Sequence, residues 1–218
     1  MRGAIFDMDG LLLDSERLYQ QCWRDLAKEH GIILPDSFPM EITGSGADRT
    51  RIILRKYFPG ADPDALITDC KERVTLLEET ALAPMPGAAE LLHYLQEMNW
   101  LLAVASSSPR DMVLRNLERT GLSVYFRQVL SGEDIVRGKP FPDIFLLAAE
   151  RLGVAPQDCL VLEDSPNGLL AARAAGCRPV MVPDQVPPTD ELLSFCLVYP
   201  SLTDVMNAVR SGKLWRTG

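Results

Sequence analysis

Phe6-Asp7-Met8-Asp9-Gly10 closes the first apolar run of the chain, and the reading of these five residues decides the fold. Ala4, Ile5 and Phe6 form a short, continuous hydrophobic stretch that suits a buried strand, and Gly10 is where the backbone turns away. Two carboxylates one residue apart at the C-terminal end of a strand are poor core material, because each is costly to desolvate without a partner. Burial raises a carboxyl pKa, whereas a nearby cation lowers it. A hard divalent metal, with one Asp as oxygen ligand and nucleophile, accounts for the pair economically. Taken alone, Asp-x-Asp-Gly also fits a plain turn or a fragment of a calcium loop.

Working outward from this stretch, Asp14-Ser15 signals a helix start, and Tyr19, Cys22, Trp23 and Leu26 share one face of a helix that Gly31 ends. Pro35 to Pro39 is expected to be a loop. Thr43-Gly44-Ser45-Gly46 precedes a helix reaching about Tyr57, and Asp62 with Pro63 starts another whose apolar face carries Leu66, Cys70, Val74 and Leu77. Pro84-Met85-Pro86-Gly87 then punctuates the chain. Beyond it the character changes. Leu101 to Ala105, Val129-Leu130, Leu160 to Leu162 and Val180 to Val182 are short apolar runs without in/out alternation, separated by helices with their own start and stop signals. That pattern implies a parallel sheet covered on both faces. The expected fold is α/β: a Rossmann-like parallel-sheet core with helices on both faces, residues 1–13 and 83–218, plus an inserted all-helical cap domain, residues 14–82.

The composition narrows the function classes. At 218 residues, 47% of them hydrophobic, the chain has ample core, and no apolar run reaches the ~20 residues of a membrane span. The start Met1-Arg2-Gly3 runs straight into the first strand, so no signal peptide is expected. Five scattered cysteines without C-x-x-C spacing suggest neither a disulfide framework nor a zinc site, and fit a reducing cytoplasm. A net charge of -8 without a strong Lys/Arg cluster disfavours a nucleic-acid polymer as partner. His30 and His93 are the two histidines, both placed as structural residues, so histidine catalysis is not expected.

Ligands of open parallel sheets bind beyond the carboxyl ends of the strands. Applied here, that rule collects Asp7 and Asp9, Ser106-Ser107-Ser108, Gly138-Lys139-Pro140 and Glu163-Asp164 on one edge. The set suits phosphoryl transfer. A carboxylate attacks phosphorus only where repulsion between the two anions is suppressed, and a Mg²⁺ held by Asp7 and Asp164 would suppress it. Ser106 offers a hydroxyl and backbone N–H groups to a phosphate, with Ser107 beside it, and Lys139 offers a point charge. Asp9 is suited to protonate the leaving oxygen and then deprotonate water.

Taken together these residues resemble the haloacid dehalogenase superfamily. Phe6-Asp7-Met8-Asp9-Gly10-Leu11-Leu12-Leu13-Asp14-Ser15-Glu16 resembles its first motif and Val104-Ala105-Ser106-Ser107-Ser108 its second. Gly138-Lys139-Pro140 with Pro142-Asp143 resembles the third, and Val161-Leu162-Glu163-Asp164-Ser165-Pro166-Asn167-Gly168 the fourth. The resemblance implies Asp7 as nucleophile, Asp9 as general acid/base, and Ser106, Ser107 and Lys139 as phosphate binders. It implies Mg²⁺ held by Asp7, the Asp9 carbonyl and Asp164, supported by Glu163. Dehalogenases of this superfamily lack the second aspartate, since a halide needs no proton, so Asp9 favours phosphate-ester chemistry.

Within the superfamily the chain is similar to the branch of β-phosphoglucomutase-like proteins and small-substrate phosphatases. The mutases carry a cap histidine where this chain has Tyr19, and a lysine and an arginine around the loop that here reads Thr43-Gly44-Ser45-Gly46-Ala47, although Arg49 or Arg51 would substitute in a shifted register. A monomeric phosphatase of a small phosphorylated metabolite, a sugar phosphate or nucleoside monophosphate, is therefore expected, with Tyr19, Ser45 and Arg49 as cap contacts. The alternatives are a sugar phosphomutase and a catalytically idle phosphate-binding protein. A response-regulator receiver would be smaller and would lack the helical insertion.

Overall fold

The computed structural model describes residues 1–43 and 45–215, so Gly44 of the expected Thr43–Gly46 loop lies outside the described residues. The chain divides into two compact units, Met1–Leu13 with Pro84–Gly218, and Asp14–Ala83. Residue 83, expected with the sheet, falls in the helical unit, where its carbonyl accepts the Asp14 N–H at 3.0 Å.

In the first unit, six strands among the described residues form one parallel sheet: β1 Gly3–Phe6, β2 Leu101–Ala105, β3 Gln128–Leu130, β4 Cys159–Glu163, β5 Arg178–Met181 and β6 Leu197–Val198. Their order is β3-β2-β1-β4-β5-β6, the Rossmann order. β1 is the middle of the sheet, with Gly3 to Phe6 paired to Leu101 to Val104 on one side and to Cys159 to Leu162 on the other. All four β1 residues are buried, which explains the unbroken apolar run. Ile5, Ala103, Leu130 and Val161 pack with Ile144, Phe145 and Ala148 of a helix over Asp143–Leu152 and with Ala171 and Ala172 of a helix over Pro166–Ala174. A helix over Ala88–Glu97 packs against β2, and one over Leu202–Arg210 packs against that helix. Helices over Arg110–Arg119 and Asp190–Leu193 complete this unit.

The second unit contains helices at Glu16–Glu29, Phe38–Ile42, Ala47–Tyr57 and Pro63–Ala81. In chain order the ten helices described are α1 (Glu16–Glu29), α2 (Phe38–Ile42), α3 (Ala47–Tyr57), α4 (Pro63–Ala81), α5 (Ala88–Glu97), α6 (Arg110–Arg119), α7 (Asp143–Leu152), α8 (Pro166–Ala174), α9 (Asp190–Leu193) and α10 (Leu202–Arg210). The expected loop over Pro35 to Pro39 is corrected: Phe38 begins the short helix α2 with Pro39 in its first turn, where a missing N–H leaves no helical bond unmade. Asp62 caps α4 by accepting from the Asp64 N–H at 3.1 Å. Leu18, Trp23, Leu26, Phe38, Leu54, Phe58, Leu66 and Val74 form a core that belongs to this unit alone. No helix among the described residues is long and apolar enough to cross a membrane.

Because Leu54 is fully buried in that core, Leu54→Ala is expected to cost about 2–4 kcal/mol in denaturant unfolding of the full chain. A loss below about 1 kcal/mol would mean that the core readjusts around the missing side chain.

Candidate active site

The site is built from strand ends of the first unit. Asp7 directly follows β1, and its N–H still donates to Leu162 O at 3.0 Å, so the sheet fixes its backbone. Two residues on, the chain turns at Gly10, with φ +77, and the Gly10 N–H donates to Leu13 O at 3.0 Å. A side chain is excluded there twice over: the conformation is left-handed, and a Cβ would lie 2.7 Å from Asp164 Oδ2 and 3.4 Å from Asp184 Oδ2.

The Lys139 side chain is only 7% exposed, and all three protons of its ammonium are used. It donates to Asp7 Oδ1 at 2.5 Å, to Glu163 Oε1 at 2.6 Å and to the Ala105 carbonyl at 3.0 Å. The other oxygen of Glu163 accepts from Ser165, from its N–H at 3.1 Å and its hydroxyl at 2.8 Å. Glu163 is thus held at both ends, and the room for its carboxylate comes from Gly168, where a Cβ would fall 1.9 Å from Oε1.

Carboxylate oxygens of Asp7, Glu163 and Asp164 lie within 4.8 Å of one another, all three residues buried. The Lys139 ammonium binds two of these three acids, Asp7 and Glu163. Burial pushes the Asp7 carboxyl up to about 8 against the pull of Lys139, with Glu163 and Asp9 adding to the rise. Burial alone would lower Lys139, but Asp7 and Glu163 more than offset it and hold the ammonium above the ordinary lysine value. An all-oxygen donor set with excess buried negative charge fits a hard divalent cation. The Asp9 side chain stands outside the acidic cluster. Its Oδ2 accepts from the Ser108 hydroxyl at 2.8 Å and from the Ser106 hydroxyl at 3.3 Å.

The turn after β2 refines the expectation for phosphate binding. The Ser106 N–H is spent on Leu130 O at 3.1 Å and the Ser108 N–H on Ser106 Oγ at 3.1 Å. The amide expected of Ser106 is therefore taken by the sheet, and Ser106 contributes its hydroxyl. The Ser107 N–H has no partner among the described residues, and Ser107 is exposed.

Tyr19 and Ser45 line a cavity of about 540 Å³ inside the helical unit, together with Glu16, Gln20, Thr43 and Arg51. Arg49 is exposed and does not line it. Thr43 links two lining residues, donating to Glu16 at 3.1 Å and accepting from Gln20 at 3.2 Å. Sequence reasoning placed Ser108 at the strand end without a chemical role of its own, and did not single out Asp184. The strand-end rule finds Asp184 once it is applied to the run Val180–Val182, and Ser108 needed the position of Asp9.

Residues 1–176 match the model of the haloacid dehalogenase-like hydrolase family. A probable pseudouridine-5′-phosphatase of Drosophila melanogaster is 38% identical over 188 residues, 83% of this chain and 81% of that protein. A validoxylamine A 7′-phosphate phosphatase of Streptomyces hygroscopicus subsp. limoneus is 35% identical over 173 residues, 79% of this chain and 81% of that protein. A putative β-phosphoglucomutase from Thermotoga maritima has a similar structure, with a TM-score of 0.80 at 28% identity, covering 97% of this chain and 99% of that one. A parallel sheet of this order with buried acids at its carboxyl edge is a Rossmann-like α/β fold. The chain belongs to the haloacid dehalogenase-like hydrolase family.

Two outcomes test the site. A carboxyl with a raised pKa keeps its proton in the folded state at a pH where the unfolded chain has lost it, so stability falls as pH rises from its ordinary 3.8 toward about 8. Metal-free protein is therefore expected to melt lower at pH 8 than at pH 6, and Asp7→Asn to flatten that difference, both read by thermal unfolding in chelator. Gly168→Ala in an ordinary helix would stabilise by up to about 1 kcal/mol. Here it is expected to lower the melting temperature and displace Glu163, and an unchanged or higher value would show that Glu163 has room to move.

Proposed function

We propose that the chain is a Mg²⁺-dependent phosphomonoesterase acting on a small phosphorylated metabolite through an aspartyl-phosphate on Asp7. The observation that carries this reading is the division of labour between the two aspartates: Asp7 lies in the buried acidic cluster beside Lys139, whereas Asp9 stands apart on two hydroxyls. A nucleophile belongs next to cations, and a proton carrier belongs where its own proton can move.

Asp7 and Asp164, with the Asp9 carbonyl, would hold the metal, and Glu163 would orient Lys139 from behind. When bound, Mg²⁺ supplies charge neutralisation and polarises the phosphoryl oxygens. The Ser106 hydroxyl and the Ser107 N–H bind the phosphoryl group, and Lys139, whose three protons are already given to Asp7, Glu163 and the Ala105 carbonyl, contributes its charge to the phosphate. An Asp7 oxygen attacks phosphorus, the ester P–O bond breaks, and Asp9 gives its proton to the departing alkoxide. Asp9 then takes a proton from water, whose oxygen attacks the phosphorus of the aspartyl-phosphate. Inorganic phosphate leaves and Asp7 is restored.

The helical unit is proposed as the cap that selects the organic part of the substrate, through Tyr19, Ser45 and the polar groups around the 540 Å³ cavity. Both cited relatives are named as phosphatases of small organic phosphates, which supports this substrate class. A mutase must also hold a second phosphate. The charge of Arg51 is already committed to Asp64 at 2.8 Å and Asp48 at 3.1 Å, which leaves the exposed Lys71 as the other cation lining the cavity and favours hydrolysis.

The test is phosphate release from a panel of sugar, polyol and nucleoside monophosphates with Mg²⁺. Wild type is expected to release phosphate, chelator to abolish release, and Asp7→Asn to lower it by at least about 10³-fold. Interconversion of sugar phosphates without release would overturn the phosphatase reading.

A further inference from the structure

Two hydroxyls, Ser106 and Ser108, donate to the same oxygen of Asp9, and one of them is claimed twice. A serine hydroxyl has one proton to donate. In the structure Ser106 points it at Asp9 Oδ2, 3.3 Å away. If Ser106 is the hydroxyl that binds the phosphoryl group, as proposed above, it must turn that proton to a phosphate oxygen once substrate arrives. Asp9 then keeps Ser108, the shorter of the two bonds at 2.8 Å.

The surroundings fit a fixed anchor. The Ser108 N–H donates to Ser106 Oγ at 3.1 Å, and its carbonyl accepts from the Gly132 N–H at 3.2 Å. Gly132 presses so closely on this turn that a Cβ there would lie 2.6 Å from the Ser107 carbonyl oxygen. The loop carrying it is locked in turn, because the Ser131 N–H and hydroxyl both donate to Asp134. Pro109, which follows, has no N–H to compete for Ser106 or Asp9. Ser108 is therefore held by its main chain, and its hydroxyl reaches Asp9 from a fixed point.

We propose that Ser108 is a positioning residue: it holds the Asp9 carboxyl in place while Ser106, keeping its proton, turns its O–H from Asp9 to the phosphate, so that substrate binding loosens Asp9 from Ser106 but not from Ser108. Ser108 touches neither the phosphoryl group nor Asp7 in this scheme. It acts on the proton transfers made by Asp9 and leaves phosphate binding alone. The inference rests on the phosphatase reading.

The experiment compares wild type, Ser108→Ala and Ser108→Thr on p-nitrophenyl phosphate and on an alkyl phosphate, with Mg²⁺, by rapid-quench and steady-state kinetics. Nitrophenolate leaves without a proton, so the Ala variant is expected to keep a burst of about one equivalent and a KM within about 2-fold of wild type. Its kcat is expected to fall at least about 10-fold, and further on the alkyl ester, whose departure also needs Asp9. The Thr variant, which keeps the hydroxyl, is expected to return to within about 3-fold of wild type. An Ala variant with unchanged kcat overturns the proposal. So does one that loses burst and turnover together, or one that Thr does not rescue, since each points to a packing role. Failure of the wild type to release phosphate from either ester would instead sink the phosphatase reading.

Discussion

Everything at the sheet edge depends on one ammonium. Lys139 binds Asp7, Glu163 and the Ala105 carbonyl at once, tying the ends of β1, β2 and β4 together from a segment that is not itself a strand. Its charge makes the burial of two of the acids tolerable, and its three fixed bonds set where Asp7 points. Without it the acids would repel one another in a largely buried place where the charges are poorly screened. One ammonium does not balance three carboxylates, and the remaining negative charge suits the cluster to a hard cation.

Glycine shapes the same edge by leaving room. Gly168 clears the space that the Glu163 carboxylate occupies, and Gly10 lets the turn after β1 pass close beside Asp164 and Asp184. Each acid is thus placed by a neighbour with no side chain as much as by the partners it binds. The family fingerprint looks like a run of chemical groups, but Gly10 and Gly168 within it are clearances.

Much of this was legible in the sequence because the parallel sheet writes itself plainly. Strands buried on both faces become uninterrupted apolar runs, and the groups at their carboxyl ends follow directly, as with Asp7, Ser106 and Glu163-Asp164. What escaped depended on partners distant in the chain. Whether the Ser106 amide is free turns on where pairing with Leu130 stops. Lys139, which looks like a surface lysine in isolation, has its side chain buried because Asp7 stands 132 residues away in sequence yet at hydrogen-bond distance. The helix α2 was hidden by Pro39, which punctuates in most contexts but is tolerated in a first turn. The strand β6 has two residues, too few to show any pattern. Of the residues expected as cap contacts, Tyr19 on α1 and Ser45 just before α3 line the cavity, while Arg49 and Arg51 differ by a rotation that spacing alone does not fix.

The central place of β1 has a consequence for how the chain is made. Its four residues are made well before one of the strands that flank them, β4, which begins at Cys159. At ~5–20 residues per second, that neighbour emerges roughly 8–30 s later. Until then the nascent chain carries an apolar strand with an open edge and no complete nucleophile site. The helical unit, whose core is its own, has by that time been fully synthesised. The acidic cluster is therefore complete only once β4 has been made, and a product truncated before β4 lacks both Glu163 and Asp164.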